Sequence, residues 1–315
     1  MARGTGTGRL TAALRRGILA AAGSPRLGRL VRRYGMRLGA ARFVAGETLD
    51  EAVVTLRRLQ EQGLRTNTTL LGEGVRERES AERVAGEYEA ILQGIADERL
   101  DTNLAVKVTH LGVLIDERLA LELLDRVVVR AAALGNFVRI DMEDSPLVDA
   151  TLRIYRDLRG RGRENLGVVL QSYLYRSERD LEALLPLRPN VRLVKGAYLE
   201  PPAVAHPRKE DVDAAYVRLL ERALPEAGFT AVATHDERLV EHAISFADAN
   251  GIGPERFEIQ MLYGVRSRLQ LELVHRGLRV LVATPFGSDW YPYLMRRLAE
   301  RPANLFFFLR SALRR

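Results

Sequence analysis

From Leu49 onward, apolar positions follow two alternating periods. Short runs rich in Val, Ile, Leu and Thr give way to longer stretches with an apolar face at helical spacing. Strands are predicted over 66–71, 103–109, 137–142, 167–172, 191–195, 230–234, 257–261 and 279–284. Helices are predicted over 49–62, 76–99, 117–134, 148–159, 212–224, 237–250, 266–275 and 292–300. The pattern is read as eight strand–helix units preceded by one helix, with a helix picked out after every strand but the fourth. Such alternation argues for parallel strands joined by helices. Eight units fit a (β/α)8 barrel of about 250 residues. An open doubly wound sheet, the alternative, normally has fewer strands. The expected organisation is a helical N-terminal arm over 1–63 and an α/β, TIM-like barrel over 64–315.

Charge changes this picture at one end only. Residues 1–46 hold ten arginines and no acid, a net charge of +10; the first acid is Glu47. The remainder has 38 basic and 41 acidic residues and is slightly acidic. The arm can meet anionic lipid, nucleic acid or an acidic partner, or it can pack on the body as amphipathic helices. It is Arg-rich like a transit peptide but poor in Ser. The absence of cysteine excludes disulfides and thiolate chemistry. No apolar run approaches the roughly 18 residues of a spanning helix. Only Lys107, Lys195 and Lys209 are lysine among 48 basic residues, as a GC-rich coding bias would give.

The ends of the predicted strands carry the candidate chemistry. In order they read Leu71-Gly-Glu73, Lys107, Asp141-Met-Glu-Asp144, Gln171, Lys195-Gly196, Thr234-His235, Gln260 and Thr284. Active sites of barrels lie at that end. Singly each has a bland reading: Lys107 can snorkel, Asp141 can cap, His235 can be a satisfied turn histidine. Their recurrence at nearly every strand end is what points to a site. The five histidines show no metal-ligand spacing, there is no G-x-S-x-G elbow, and Gly4-Thr-Gly-Thr-Gly8 follows no strand. Asp141 and Glu143 could form a carboxylate pair, but no set of sugar-binding aromatics accompanies them. After the last strand, Pro285-Phe-Gly-Ser-Asp289 reads as a turn into a helix with Arg296 and Arg297 one turn along. Two guanidinium groups there would make a fork for a carboxylate, with Glu300 within reach of both. The pocket is expected to be cationic and suited to an anionic ligand or a phosphate-bearing cofactor. A non-catalytic anion-binding barrel is the competing class.

At Arg192-Leu-Val-Lys-Gly-Ala-Tyr-Leu-Glu-Pro201 the chain resembles the proline dehydrogenases. The resemblance extends through Leu71-Gly-Glu73, Val106-Lys107, Arg139-Ile-Asp-Met-Glu143, Gln171-Ser-Tyr173, Ala233-Thr-His-Asp236, Glu258-Ile-Gln-Met-Leu-Tyr-Gly264 and Asp289-Trp-Tyr-Pro-Tyr-Leu-Met-Arg-Arg-Leu298. It implies a distorted (βα)8 barrel that binds FAD and oxidises L-proline to Δ1-pyrroline-5-carboxylate. It also implies a monofunctional form, with a separate pyrroline-5-carboxylate dehydrogenase acting next and a quinone taking the electrons. No metal and no nucleic acid are implied. The implied location is the cytoplasm, with peripheral contact at the inner face of the membrane.

Motif by motif, the resemblance assigns Arg296 and Arg297 to the substrate carboxylate, with Lys107 adding a third contact. Asp141 matches an active-site aspartate beside Lys107, and Glu73 a glutamate that pairs with an arginine in the empty site. Arg192 matches the arginine beside the flavin's redox centre, and Tyr293 a tyrosine lining the substrate pocket. Met142, Gln171, Val194, Lys195, Gly196, Thr234, His235 and Glu300 match cofactor contacts. One position departs: where the family pattern has Tyr-Val-Pro-Phe/Tyr-Gly, this chain has Ala283-Thr-Pro-Phe-Gly287. Loss of that ring opens the alternative of 4-hydroxyproline or a related cyclic imino acid as substrate, unless Phe286 or Tyr263 fills the gap.

Overall fold

The computed structural model describes residues 40–300, with side chains as far as Met295. The eight apolar runs form β1 (Arg65–Leu70), β2 (Thr102–Val106), β3 (Val138–Ile140), β4 (Leu166–Gln171), β5 (Asn190–Val194), β6 (Phe229–Ala233), β7 (Phe257–Leu262) and β8 (Val280–Phe286). They pair in chain order, all in parallel, and β8 closes on β1. The helices are α1 (Leu49–Glu61), α2 (Arg78–Asp97), α3 (Glu117–Ala133), α4 (Val148–Gly160), α5 (Ser177–Leu184), α6 (Lys209–Glu226), α7 (Glu237–Ala249), α8 (Ser267–His275) and α9 (Trp290–Glu300). The predicted barrel is therefore the observed one.

Two strands are shorter than predicted. β2 stops at Val106 because the chain turns there, His110 N donating to Lys107 O at 3.1 Å. β3 ends at Ile140, and Asp141 N still donates to Val106 O at 2.9 Å, so Asp141 keeps the strand's direction. Helix α5, only eight residues long, falls outside the predicted stretches.

Alternation within each strand separates two environments. Leu104, Val106, Val138, Ile140, Val191, Leu193, Val280 and Val282 are fully buried and join the core shared with the helices. The other face of the same strands holds Arg65, Asn67, Asn103, Arg139, Arg192, Glu258 and Gln260. Barrel interiors are commonly filled by branched apolar side chains; this one is largely polar. Its lower part is largely paired internally. Arg65 reaches Glu258 at 3.1 Å, and Gln260 Nε2 donates to Glu258 at 2.7 Å. Arg139 donates to the backbone oxygen of Asn190 at 2.8 Å. Burial, then the neighbouring Arg192 charge, pushes the Arg139 guanidinium down to about 9.

The barrel is distorted at its seam. Helix α1, from before β1, packs against both β1 and β8. Trp290, Tyr291, Leu294 and Met295 of α9 instead cluster with Ala40, Phe43, Val44 and Leu71. Trp290 Nε1 donates to Glu47 at 2.7 Å, Ala45 N to Pro285 O at 2.8 Å, and Gly287 N to Gly46 O at 3.0 Å. Gly264 permits this docking, since a Cβ there would sit 1.8 Å from the Arg42 carbonyl oxygen. The start of the chain's described part thus holds α9 in place. Residues 1–39 of the expected arm lie outside the described residues.

Candidate active site

A cavity of about 670 Å3 opens at the C-terminal ends of the strands. That is within the roughly 300–1,000 Å3 typical of small-molecule and cofactor sites. Strands β2 to β8 and the turns after them deliver residues to it: Lys107 after β2, Asp141 and Met142 after β3, Gln171 on β4, Arg192 and Val194 on β5. Lys195 and Gly196 follow, then Thr234 and His235 after β6, Leu262 on β7, Ala283 on β8 and Tyr293 on α9. The alternation that points a lysine or arginine inward also buries its valine and leucine neighbours outward, so the ring is a consequence of strand geometry.

At the floor, Arg192 is buried and donates from Nη1 to Asp141 at 2.8 Å and from Nη2 to Asn67 at 3.2 Å. Its Nε and the Oε1 of Gln260 are buried without partners. Burial pulls the Arg192 pKa below its ordinary value against the opposing pull of Asp141 and Glu258. Lys107 makes no ion pair among the described residues. Asp141, expected beside Lys107, therefore gives its recorded ion pair to Arg192.

At the rim, Lys195 Nζ lies 2.5 Å from Asp213 and 3.1 Å from Asp236. Lys209 and Arg238 complete the cluster. Burial works against the Asp236 charge, but hydrogen bonds from Arg238 and Lys195 outweigh it and hold its carboxyl far below the usual range. All three lysines of the chain line this one cavity. The turn after β5 passes against the Tyr173 ring. Only glycine fits at 196, where φ is +117° and a Cβ would meet that ring at 2.4 Å. His235 Nε2 accepts from Leu262 N at 2.9 Å, which leaves the proton of the neutral ring on Nδ1. Gln171 Nε2 donates to Glu143 O at 2.9 Å.

Other expected residues lie outside this cavity or outside the described residues. Glu73 lines a neighbouring cavity of about 480 Å3 together with His110, Ser288 and Asp289, not the main one. Glu143 does not pair with Asp141 across a shared space: it is buried and accepts from Thr109 N at 3.0 Å and from its hydroxyl at 2.5 Å. Arg296, Arg297 and Glu300 belong to α9, but their side chains lie outside the described residues. Neither Phe286 nor Tyr263 fills the space beside Ala283: neither lines the cavity, and the Tyr263 hydroxyl instead accepts from Arg58 at 2.8 Å. Asn67 is the functional candidate that reading strand ends misses, because it sits mid-strand. Its signal was an asparagine inside a strand pattern, where asparagine is normally depleted.

Comparison with known proteins shows the family. The family model described as Proline dehydrogenase matches residues 52–310. Proline dehydrogenase 1 of Bacillus subtilis subsp. natto is 42% identical over 289 residues, 92% of this chain and 95% of that protein. The proline dehydrogenase of Deinococcus radiodurans is 41% identical over 304 residues, 95% of this chain and 98% of that one. A crystal structure of proline utilization A (PutA) from Bdellovibrio bacteriovorus superposes with a TM-score of 0.81. Identity there is 24%, over 89% of this chain and 34% of that one, so the likeness is one of fold.

Proposed function

The chain belongs to the proline dehydrogenase family and oxidises L-proline in the first step of proline catabolism, and we propose that it does so with FAD held in the cavity at the strand ends. The observation that carries this reading is the floor of that cavity. Arg192, Gln171, Gln260 and Thr234 line it together, and Lys107 enters it without an ion pair among the described residues. Donors and acceptors so placed suit a heteroaromatic ring that offers both. Above them Met142, Val169, Val194, Ala233 and Leu262 give apolar walls for such a ring, while Lys195 and Lys209 at the rim suit phosphates.

Bound FAD supplies a hydride acceptor. The chain's own residues supply position and charge. Lys107 reaches the cavity beside Tyr293, and the helix that carries Tyr293 also carries Arg296 and Arg297. These three cations form the proposed clamp for the substrate carboxylate. A hydride leaves carbon more easily next to a neutral amine than next to an ammonium. Positive charge from Lys107 and Arg192 favours loss of the amine proton. Arg192, kept cationic by Asp141, offsets the negative charge that the cofactor gains. Electrons then pass to a quinone, and the imine product goes to a separate pyrroline-5-carboxylate dehydrogenase.

The direct test is spectral. The purified protein is expected to show flavin absorbance that bleaches when proline is added without oxygen. Protein that holds no flavin, or holds it and does not bleach, overturns the reading.

A further inference from the structure

We propose that Asn67 is a positioning residue for Arg192: its amide fixes the guanidinium while adding no second negative charge to it. The inference rests on the reading above, that Arg192 stands beside the cofactor.

Arg192 is a cation taken out of water, and its two Nη atoms have partners from two different strands of the barrel. Nη1 meets Asp141, which follows β3, at 2.8 Å, and Nη2 meets Asn67 on β1 at 3.2 Å. Two partners set apart in this way fix the plane of the fork. Asn67 is itself buried and itself held. Its Nδ2 donates to the backbone oxygen of Asn103 at 3.2 Å and also to the Asn103 side-chain oxygen. Asn67 and Asn103 are register partners on β1 and β2, which brings these groups side by side. The orientation of the Asn67 amide is therefore determined. Both acceptors face its nitrogen, and its oxygen faces Arg192. The flipped amide would set N–H groups against the guanidinium and lose all three bonds.

The chemical identity of residue 67 then matters as much as its reach. Aspartate has nearly the same shape and offers the same accepting oxygen. It would also place a second carboxylate on Arg192 and surrender the donors to Asn103. Beside a buried arginine that carboxylate would be ionised. The Arg192–Asp141 pair is neutral in sum, and a third charge would make the floor of the cavity negative. A negative floor opposes the charge that the cofactor takes on when proline reduces it. Asparagine satisfies the guanidinium and leaves its positive field intact.

The test uses the flavin-loaded enzyme. The midpoint potential of the bound cofactor, the anaerobic rate of its reduction by proline and the KM for proline are compared in native protein, Asn67→Asp and Asn103→Ala. In Asn67→Asp the two-electron equilibrium is expected to shift at least tenfold against reduction, a fall of about 30 mV. Reduction by proline is expected to slow at least tenfold, with KM changed less than twofold, because residue 67 does not belong to the carboxylate clamp. Asn103→Ala leaves residue 67 in place without its anchor and is expected to slow reduction severalfold, again at near-constant KM. A residue that merely supported folding would move neither the potential nor the split between kcat and KM. If Asn67→Asp does not retain flavin, Asn103→Ala decides by the same measures. Native protein that holds no flavin removes the proposed function and this inference together. Native protein that bleaches normally, with variants whose potential and rate match it, overturns this inference alone.

Discussion

Ala283 stands beside Asn67 in register and ends at Cβ, and it lines the cavity, where neither Phe286 nor Tyr263 joins it. A tyrosine there, as the family pattern has, would pack over the substrate. Lost apolar contact costs about 25 cal/mol per Å2, so proline is expected to be held less tightly. An added hydroxyl on the ring meets no wall and can bind water. Discrimination between proline and trans-4-hydroxy-L-proline is accordingly expected to be weak, and Ala283→Tyr is expected to raise it. The measurement is kcat/KM for both substrates; an unchanged ratio in the variant excludes position 283 as a determinant. At the clamp, Arg296→Met and Arg297→Met are each expected to raise the KM for proline while flavin stays bound. Removing one partner of a buried charge pair costs on the order of 2–5 kcal/mol. An unaltered KM in both would dismiss the clamp. His110 belongs to stability. Burial pushes its imidazole down to about 4, and its Nδ1 lies 2.9 Å from the Tyr88 hydroxyl. Its ordinary value is about 6.5, so below that pH the unfolded chain binds the proton first. Stability is then expected to fall as pH drops from about 6.5 to 4, by up to roughly 3 kcal/mol at 1.36 kcal/mol per unit. His110→Gln should flatten denaturant midpoints across that window.

At the scale of elements, α9 is the piece whose position is borrowed from the other end of the chain. Its Trp290 is buried against Ala40, Phe43 and Val44 and hydrogen-bonded to Glu47. Trp290→Ala should destabilise by about 3–5 kcal/mol, as large-to-small core substitutions do. It should also raise the KM for proline, because the helix that carries Tyr293 loses its seat. Destabilisation with an unchanged KM would show that α9 holds its place without this anchor. The sequence makes some of this legible and hides the rest for physical reasons. The eight strands are readable because outward valines and leucines alternate with inward polar residues. The strand-end ring, from Lys107 to His235, follows from that alternation alone. The seat of α9 is not readable, since contacts between residues 40–47 and 285–295 leave no periodic trace. Nor are the partners inside the ring: nothing in the spacing tells that Asp141 pairs with Arg192, or that Glu143 turns away to Thr109. Helix α5 escapes because eight residues span little more than two turns.

The whole molecule divides its charge unevenly. The body is slightly acidic, and its cationic groups at the cavity are largely tied to acids, as Lys195 and Lys209 are to Asp213 and Asp236. The surplus of positive charge lies before Glu47. Among the described residues no helix is long and apolar enough to cross a membrane. Each basic residue near an anionic surface contributes about 1 kcal/mol, screened by salt. The full chain is therefore expected to sediment with anionic vesicles at low salt and to be released at high salt. Where to cut the arm follows from the fold. Removing residues 1–46 would also remove Ala40, Phe43 and Val44 and unseat α9. Removing residues 1–39 deletes nine of the ten arginines and spares that cluster. The shorter protein is expected to lose vesicle binding while still oxidising proline with a soluble acceptor. Equal sedimentation of the two proteins would assign membrane contact to the body instead of the arm.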